Sequence, residues 1–262
     1  MNAVLSIART TLGEAIRRRV LLVILLIALL LLVIAPGMNG LTARQSQTVL
    51  LSLILGVLQL SSAVIAIVLT VYMIPNEVER RTIYTILSKP VLRWQFLLGK
   101  YLGAVSALGL MIMLMTGTMI AVFAAFQGPN VETLASLARV AMMYFVQMCL
   151  LAAVAIFFST FVQPVVNFFL SGGVYLVGTV FGSLFATIAE SQQLPQVVRL
   201  AAQLVMLIVP NFGQYNVQNS VINSGAQIVG EGIYYTNLAV YGIVYISILL
   251  LGAMLIFDRR EV

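Results

Sequence analysis

The chain has 262 residues, of which 61 % are hydrophobic and only 8 % charged, with a mean hydropathy of +1.08. Soluble domains carry about a quarter charged residues, so this composition cannot clothe a water-facing surface and excludes a soluble enzyme, a DNA-binding module and a disordered regulator. The net charge of +6 is then a topology signal in a membrane rather than a footprint for nucleic acid.

At the start of the chain, Val4, Ile7, Ala8, Thr11, Leu12 and Ala15 recur at helical spacing, with Arg9 and Glu14 among the intervening positions. This predicts an amphipathic helix lying along the inner membrane surface. Arg17, Arg18 and Arg19 precede an apolar run, but no small-x-small cleavage site follows, so the run is not read as a signal peptide. Intervals free of charge then define the spans: 20–43, 45–76, 101–131, 140–189 and 232–257. One crossing takes about 20 apolar residues, so the 140–189 interval holds two, divided at Gln163 and Pro164. The expectation is an all-α integral membrane protein, a single transmembrane domain over 1–262. Its six helices are expected at about 20–38, 48–74, 97–126, 138–161, 165–189 and 237–257.

With the N-terminus inside, the inner side carries Arg9, Arg17, Arg18, Arg19, Arg80, Arg81, Lys89, Arg93, Lys100, Arg259 and Arg260. The outer side keeps only Arg44, Arg139 and Arg199, a bias that places both termini inside. Arg139 reads as an interface anchor at the end of the fourth span.

The loop between spans two and three carries the most specific pattern. Pro75 suits a helix start, Glu77 and Glu79 sit in its first turn, and Pro90 ends it. Ile83, Tyr84, Ile86 and Leu87 give an apolar face; Glu77, Arg80, Arg81, Thr85 and Ser88 give a polar one. The prediction is a short amphipathic helix across the cytoplasmic mouth, with Tyr84, Trp94 and Tyr101 in the headgroup belt. Such a loop can simply orient the chain in the membrane. Its mixed charges between proline boundaries also suit docking into a groove on another protein.

Further along, span five places a hydrogen-bonding residue at every fourth position: Asn167, Ser171, Tyr175, Thr179, Ser183 and Thr187. The stripe serves either helix packing or the lining of a substrate path between two copies. Gly178 and Gly182 form a GxxxG beside it. Gly99 and Gly103 form another, of a kind that also recurs by chance in glycine-rich membrane helices. Residues 197–209 are apolar but reach only about 20 Å as a helix, so they are expected as a re-entrant or interfacial helix on the outer side, before a polar loop from Asn211 to Gly232.

The residues that would carry chemistry are absent. There is no histidine, which removes His-based metal sites, Ser-His and Cys-His pairs and histidine proton relays. Cys149, the single cysteine, reads as a small packing residue. Neither lysine completes GxxxxGK[ST]: Gly99-Lys100 is followed by Tyr101, and Trp94 stands where the first glycine belongs. The span centres hold no carboxylate or base that could relay protons.

Several stretches together resemble the type-2 ATP-binding-cassette (ABC) exporter permeases. These are Glu79-Arg80-Arg81-Thr82-Ile83, Leu87-Ser88-Lys89-Pro90-Val91 with Arg93, and Leu98-Gly99-Lys100-Tyr101-Leu102-Gly103. The Ser159-Thr160 break and the ending Phe257-Asp258-Arg259-Arg260 agree. Within that family the chain is most similar to the multi-copper maturation-type permeases. The resemblance implies that the helix between spans two and three is a coupling helix seated in a cleft of a separate ATPase. Glu77, Glu79, Arg80 and Arg81 would face that ATPase, flanked by Ser88, Lys89 and Arg93. It also implies a dimer seam on spans two and five, where Asn167, Ser171, Tyr175, Thr179 and Ser183 would line the seam or the path.

The implied partners are two copies of an ABC ATPase, a second permease copy or related chain, and membrane lipid, with no nucleic acid. ATP and Mg would sit on the ATPase and no cofactor or metal on this chain, in a bacterial-type inner membrane. A non-transporting scaffold that anchors a membrane complex explains the same absence of intramembrane charge.

Overall fold

The computed structural model describes residues 2–37, 46–79, 92–128, 130–190, 195–217 and 230–259. Among them all regular structure is helical, and six segments are long and apolar enough to cross a membrane: Arg19–Gly37, Thr48–Glu77, Arg93–Phe126, Val131–Ser159, Pro164–Phe181 and Glu231–Asp258. Their number and order are those expected from the charge-free intervals. The third, fourth and sixth begin earlier, at Arg93, Val131 and Glu231 instead of 97, 138 and 237. A helix need not stop at the hydrocarbon edge, and its first turns continue through the polar interface.

Helix α1 (Asn2–Arg17) carries Arg17 in its last turn, where the macrodipole favours a cation. Arg18 is extended (φ −70°, ψ 111°) and turns the chain into α2 (Arg19–Ile34). In α2, Leu21, Leu25, Ala28 and Leu32 are buried at helical spacing. Its other leucines and valines, apart from the half-buried Leu29, are exposed, as an outer span in lipid requires. Helix α3 (Ser46–Val71) leads through a turn into the short α4 (Pro75–Glu79).

Helix α5 (Arg93–Gln127) is about 50 Å long, longer than the hydrocarbon layer, and ends at Gly128 with φ 85°. Its inward face is Leu97, Tyr101, Ala104, Leu108 and Met111. Tyr101, expected among the headgroups, is therefore buried, and its hydroxyl donates to the Cys149 carbonyl at 3.3 Å. Helical phase decides its place: it falls in the row of Leu97, Ala104 and Leu108. Trp94 is exposed, as expected of a belt residue.

Helix α6 (Val131–Ser159) is capped by Asn130, whose side chain accepts from the Glu132 N–H at 3.1 Å. It is the centre of the bundle, packing against α3, α5 and the two later spans. Of its most apolar stretch, 72 % is buried, against 22 % in the fifth and sixth spans. Ser159 and Thr160 bond back to the Ile156 and Phe157 carbonyls and close the helix.

Helix α7 (Pro164–Leu176) starts with proline in its first turn, at the predicted break. The single helix expected over 165–189 is interrupted by a π-helical turn (Val177–Phe181) before α8 (Gly182–Glu190). Helix α9 (Gln196–Ile208) is too short to cross and packs against α8, then gives way to a 3-10 turn, Phe212–Tyr215. Helix α10 (Glu231–Arg259) completes the chain as described.

Tyrosines of α10 hold the stretch between α9 and the 3-10 turn. Tyr245 donates to the Ile208 carbonyl (2.7 Å), Tyr234 donates to Gln214 O (2.8 Å), and Tyr241 accepts from the Asn211 N–H (3.2 Å). In return Tyr215 donates to the Leu238 carbonyl at 2.9 Å. Burial pushes the pKa of the Tyr215 hydroxyl up, which keeps it a donor.

Candidate functional site

The end of the bundle that carries α4 is organised by one lysine. Lys100 lies two turns into α5 and is only 3 % exposed. Its Nζ forms an ion pair with Oε1 of Glu77, on α4, and lies 3.7 Å from Oε2 of Glu14, on α1. A charge so far from water needs its counter-charges held in place. Here they come from helices before and after the first two spans. Arg18 adds a further charge acting on Glu77.

A row of cations and rings extends from this pair. Lys100 Nζ stands 5.9 Å from the Phe96 ring centroid, Phe96 stacks on Phe257 of α10 (6.1 Å, 18°), and the Arg93 guanidinium lies 6.0 Å from the Phe257 centroid. Both contacts are at the outer limit of cation–π attraction. Arg93 Nη1 also donates to the carbonyls of Phe257 and Asp258, at 2.9 and 3.1 Å, where the last turn of α10 leaves acceptors open. Glu77 and Arg93, which bracket the segment 80–91, are thus tied into the same cluster.

Helix α1 reaches Lys100 because α5 presents glycine to it. A Cβ on Gly99 would stand 2.8 Å from Ile7 Cβ, and one on Gly103 2.5 Å from Thr11 Cβ. Thr11 and Ala15 are buried in this contact. The Gly99/Gly103 pair, which read as a chance match, is the seat of the N-terminal helix.

The first half of span five's polar stripe turns into the chain's own bundle, while Thr187 is exposed. Asn167 and Ser171 are fully buried; Asn167 donates to the Ala155 carbonyl of α6 at 2.9 Å, and Ser171 donates to Asn167 Oδ1 at 2.8 Å. Tyr175 packs on Phe212 (5.5 Å between centroids), and its hydroxyl sits beside the side chains of Gln59 and Thr179. Gln59 of α3 donates to Gln147 of α6 at 3.4 Å, and Gln147 donates to the Phe212 carbonyl at 2.9 Å. Gly178 and Gly182 meet the turn at Pro210 and Asn211, so that GxxxG packs against the chain itself. The opposite face of span five is apolar and exposed at Val165, Phe169, Leu176 and Val180.

A family model described as ABC-2 family transporter protein matches residues 5–262. The chain belongs to the ABC-2 transporter family. It is accordingly a multi-pass membrane protein and the permease subunit of an ABC transporter. The match is to the family and does not single out the multi-copper maturation branch. No match was found among curated proteins. ABC-2 membrane subunits are generally not catalytic themselves, and membership implies an ATPase partner.

Of the residues predicted to meet that ATPase, Glu77 and Arg93 bracket the segment 80–91 as described above. Glu79 closes α4. Its side chain, and all of Arg80, Arg81, Ser88 and Lys89, lie outside the described residues, as does the side chain of Ser183. Thr179 falls in the π turn.

Three polar residues were missed by reading the sequence for sites: Lys100, Gln59 and Gln147. Lys100 counted toward orientation, the test for a nucleotide loop and the family resemblance, but not as a site residue, yet it follows the apolar Phe96-Leu97-Leu98, where a charge demands a carboxylate. The two glutamines are amides inside charge-free intervals, which need partners for the same reason.

Proposed function

We propose that the chain is the permease of an exporter, working as one of a pair of membrane subunits with both termini cytoplasmic. A separate ATPase grips the segment between α4 and α5. Glu79, Arg80, Arg81, Ser88 and Lys89 supply the contact, with Glu77 and Arg93 holding its ends. ATP-driven closure of two such ATPases presses on this segment, and the paired bundles rock open to the outer side. The observation that carries the reading is the mixed-charge, proline-bounded segment in a chain of the ABC-2 family without a nucleotide-binding loop. The multi-copper maturation-type branch is proposed on the overall resemblance of the sequence, beyond what the family match carries.

The second copy is proposed to meet spans two and five. The exposed apolar face around Val165, Phe169 and Leu176 supports a contact there, and the buried part of the stripe, Asn167, Ser171 and Tyr175, lies behind it. Rearrangement of spans two and five on closure would bring Tyr175, Thr179 and Gln59 toward the seam.

The test is co-purification with the ABC ATPase proposed as its partner. Glu79→Lys with Arg80→Glu and Arg81→Glu is expected to abolish retention of the ATPase while the permease still elutes as a folded species. Retention equal to that of the unaltered chain would refute docking at this segment. ATP hydrolysis that responds to cargo in reconstituted complexes separates a transporter from a scaffold.

A further inference from the structure

Lys100, on α5, is buried where α1 and α4 meet that helix, and each of the two supplies a carboxylate to it. Glu77 comes from α4, at the near root of the coupling segment; Glu14 comes from α1; Phe96 leads through Phe257 to Arg93, at the far root. We propose that Lys100 is a positioning residue for energy transduction, an ionic strut that makes α1 and α4 move as one body. The proposal rests on the permease reading given above. It assigns α1 a mechanical part in place of a passive anchor.

The geometry favours a strut over general packing. Lys100 is 3 % exposed and Glu77 14 %, so water cannot substitute for either partner when the elements separate. Glu14 is 60 % exposed and is the weaker arm, able to lengthen without stranding a charge. Behind the ions, Ile7 and Thr11 of α1 sit directly on the backbone of Gly99 and Gly103, so a displacement of α5 is passed to α1 through this close contact. Pull on α4 therefore reaches α5 through Lys100–Glu77, and α1 through the glycine seat and Glu14.

The experiment measures the distance between spin labels on α1 and α4, at Thr10→Cys and Asn76→Cys, in a Cys149→Ala background. The full chain in lipid nanodiscs is measured alone and with its ATPase, nucleotide-free and trapped with ATP and vanadate. With Lys100 present, the distribution is expected to be single and to stay put on trapping. Lys100→Met combined with Glu77→Gln removes the strut without leaving a lone buried charge, so it keeps the fold. It is expected to broaden the distribution in the chain alone and to let the distance shift on trapping. Lys100→Arg should restore the narrow, fixed distance, which a purely structural loss would not predict. An unchanged distribution in the double variant, or a shift on trapping in the unaltered chain, overturns the proposal. If the unaltered chain holds no ATPase, the permease reading and the transmission fall together. The strut would still be decided by the measurement on the chain alone.

Discussion

Gln147 donates through Nε2 to the main-chain carbonyl of Phe212, and that one bond joins the centre of the bundle to the turn following α9. Gln147 is fully buried and also accepts from Gln59, so span two, span four and the turn share one amide. In Gln147→Leu the side chain keeps its bulk but leaves the Phe212 carbonyl and the Gln59 amide without that partner. Interhelical hydrogen bonds in membranes are worth about 0.6 kcal/mol on average and up to about 1.7. A destabilisation of about 1 kcal/mol is expected, read as a lower denaturation midpoint in micelles. Faster amide exchange over 205–217 should accompany it. A midpoint unchanged from the parent would show that the bond contributes nothing.

Glycine substitutions separate seats from bystanders. At Gly178 a Cβ would run into the Pro210 carbonyl and the Phe212 ring, and at Gly182 into Asn211 Oδ1 at 2.7 Å. Backbone cannot swing aside as a side chain can, so Gly178→Ala is expected to cost about 1–3 kcal/mol and to loosen the 196–217 segment. Gly172 and Gly173 have nothing within 4 Å. Gly172→Ala should be neutral or stabilising, by up to about 1 kcal/mol, because alanine favours helix. Limited proteolysis between α8 and α10 would report the first effect, and thermal unfolding both. Equal behaviour of the two variants would contradict the packing described.

The six crossings were legible because hydrophobic length and charge placement depend on the bilayer alone, not on tertiary partners. The break at Pro164 and the short α9 followed from the same arithmetic. The contacts between helices were not legible. Gly99/Gly103 and Gly178/Gly182 share one pattern, yet the first receives Ile7 and Thr11 from far upstream and the second receives Pro210. Nothing in the spacing names the partner. The π turn was missed for a related reason, since it coincides with the approach of Pro210 and Phe212 to Gly178. In the candidate site, Glu77 and Arg93 were recognised by their loop, while Lys100 was hidden by its use as a topology marker.

Phe257 is placed to link the end of the last span to the start of the third. It stacks on Phe96, lies under Arg93 and supplies a carbonyl to that guanidinium. In Phe257→Leu the carbonyl bond survives, and the ring contacts are lost, at about 0.5–1.5 kcal/mol. Arg93→Lys keeps the charge but loses the planar guanidinium whose Nη1 reaches two carbonyls. Both variants should fray α10 beyond Leu255 in hydrogen exchange, with Arg93→Lys the milder. No added exchange in either would remove Arg93 and Phe257 as a joint between the two helices.

Arg139–Glu231 and Lys100–Glu77, two ion pairs at opposite ends of the bundle, should respond very differently to loss of one partner. Arg139 and Glu231 meet at 2.6 Å, but both are well exposed, at 48 % and 39 %. Such pairs contribute about 0–1 kcal/mol, because water and salt replace the partner. Lys100 and Glu77 are shut off from water, and only the more distant, exposed Glu14 stays near Lys100 when Glu77 is lost; removing one partner of a buried pair costs about 3–5 kcal/mol, mostly from the charge left behind. Glu231→Gln should therefore leave the denaturation midpoint almost unmoved, and Glu77→Gln should lower it clearly. Adding Lys100→Met to Glu77→Gln should return much of the loss, since no charge then remains stranded in the apolar site. Additive losses in that double variant would mean that the pair acts through packing volume and not through charge.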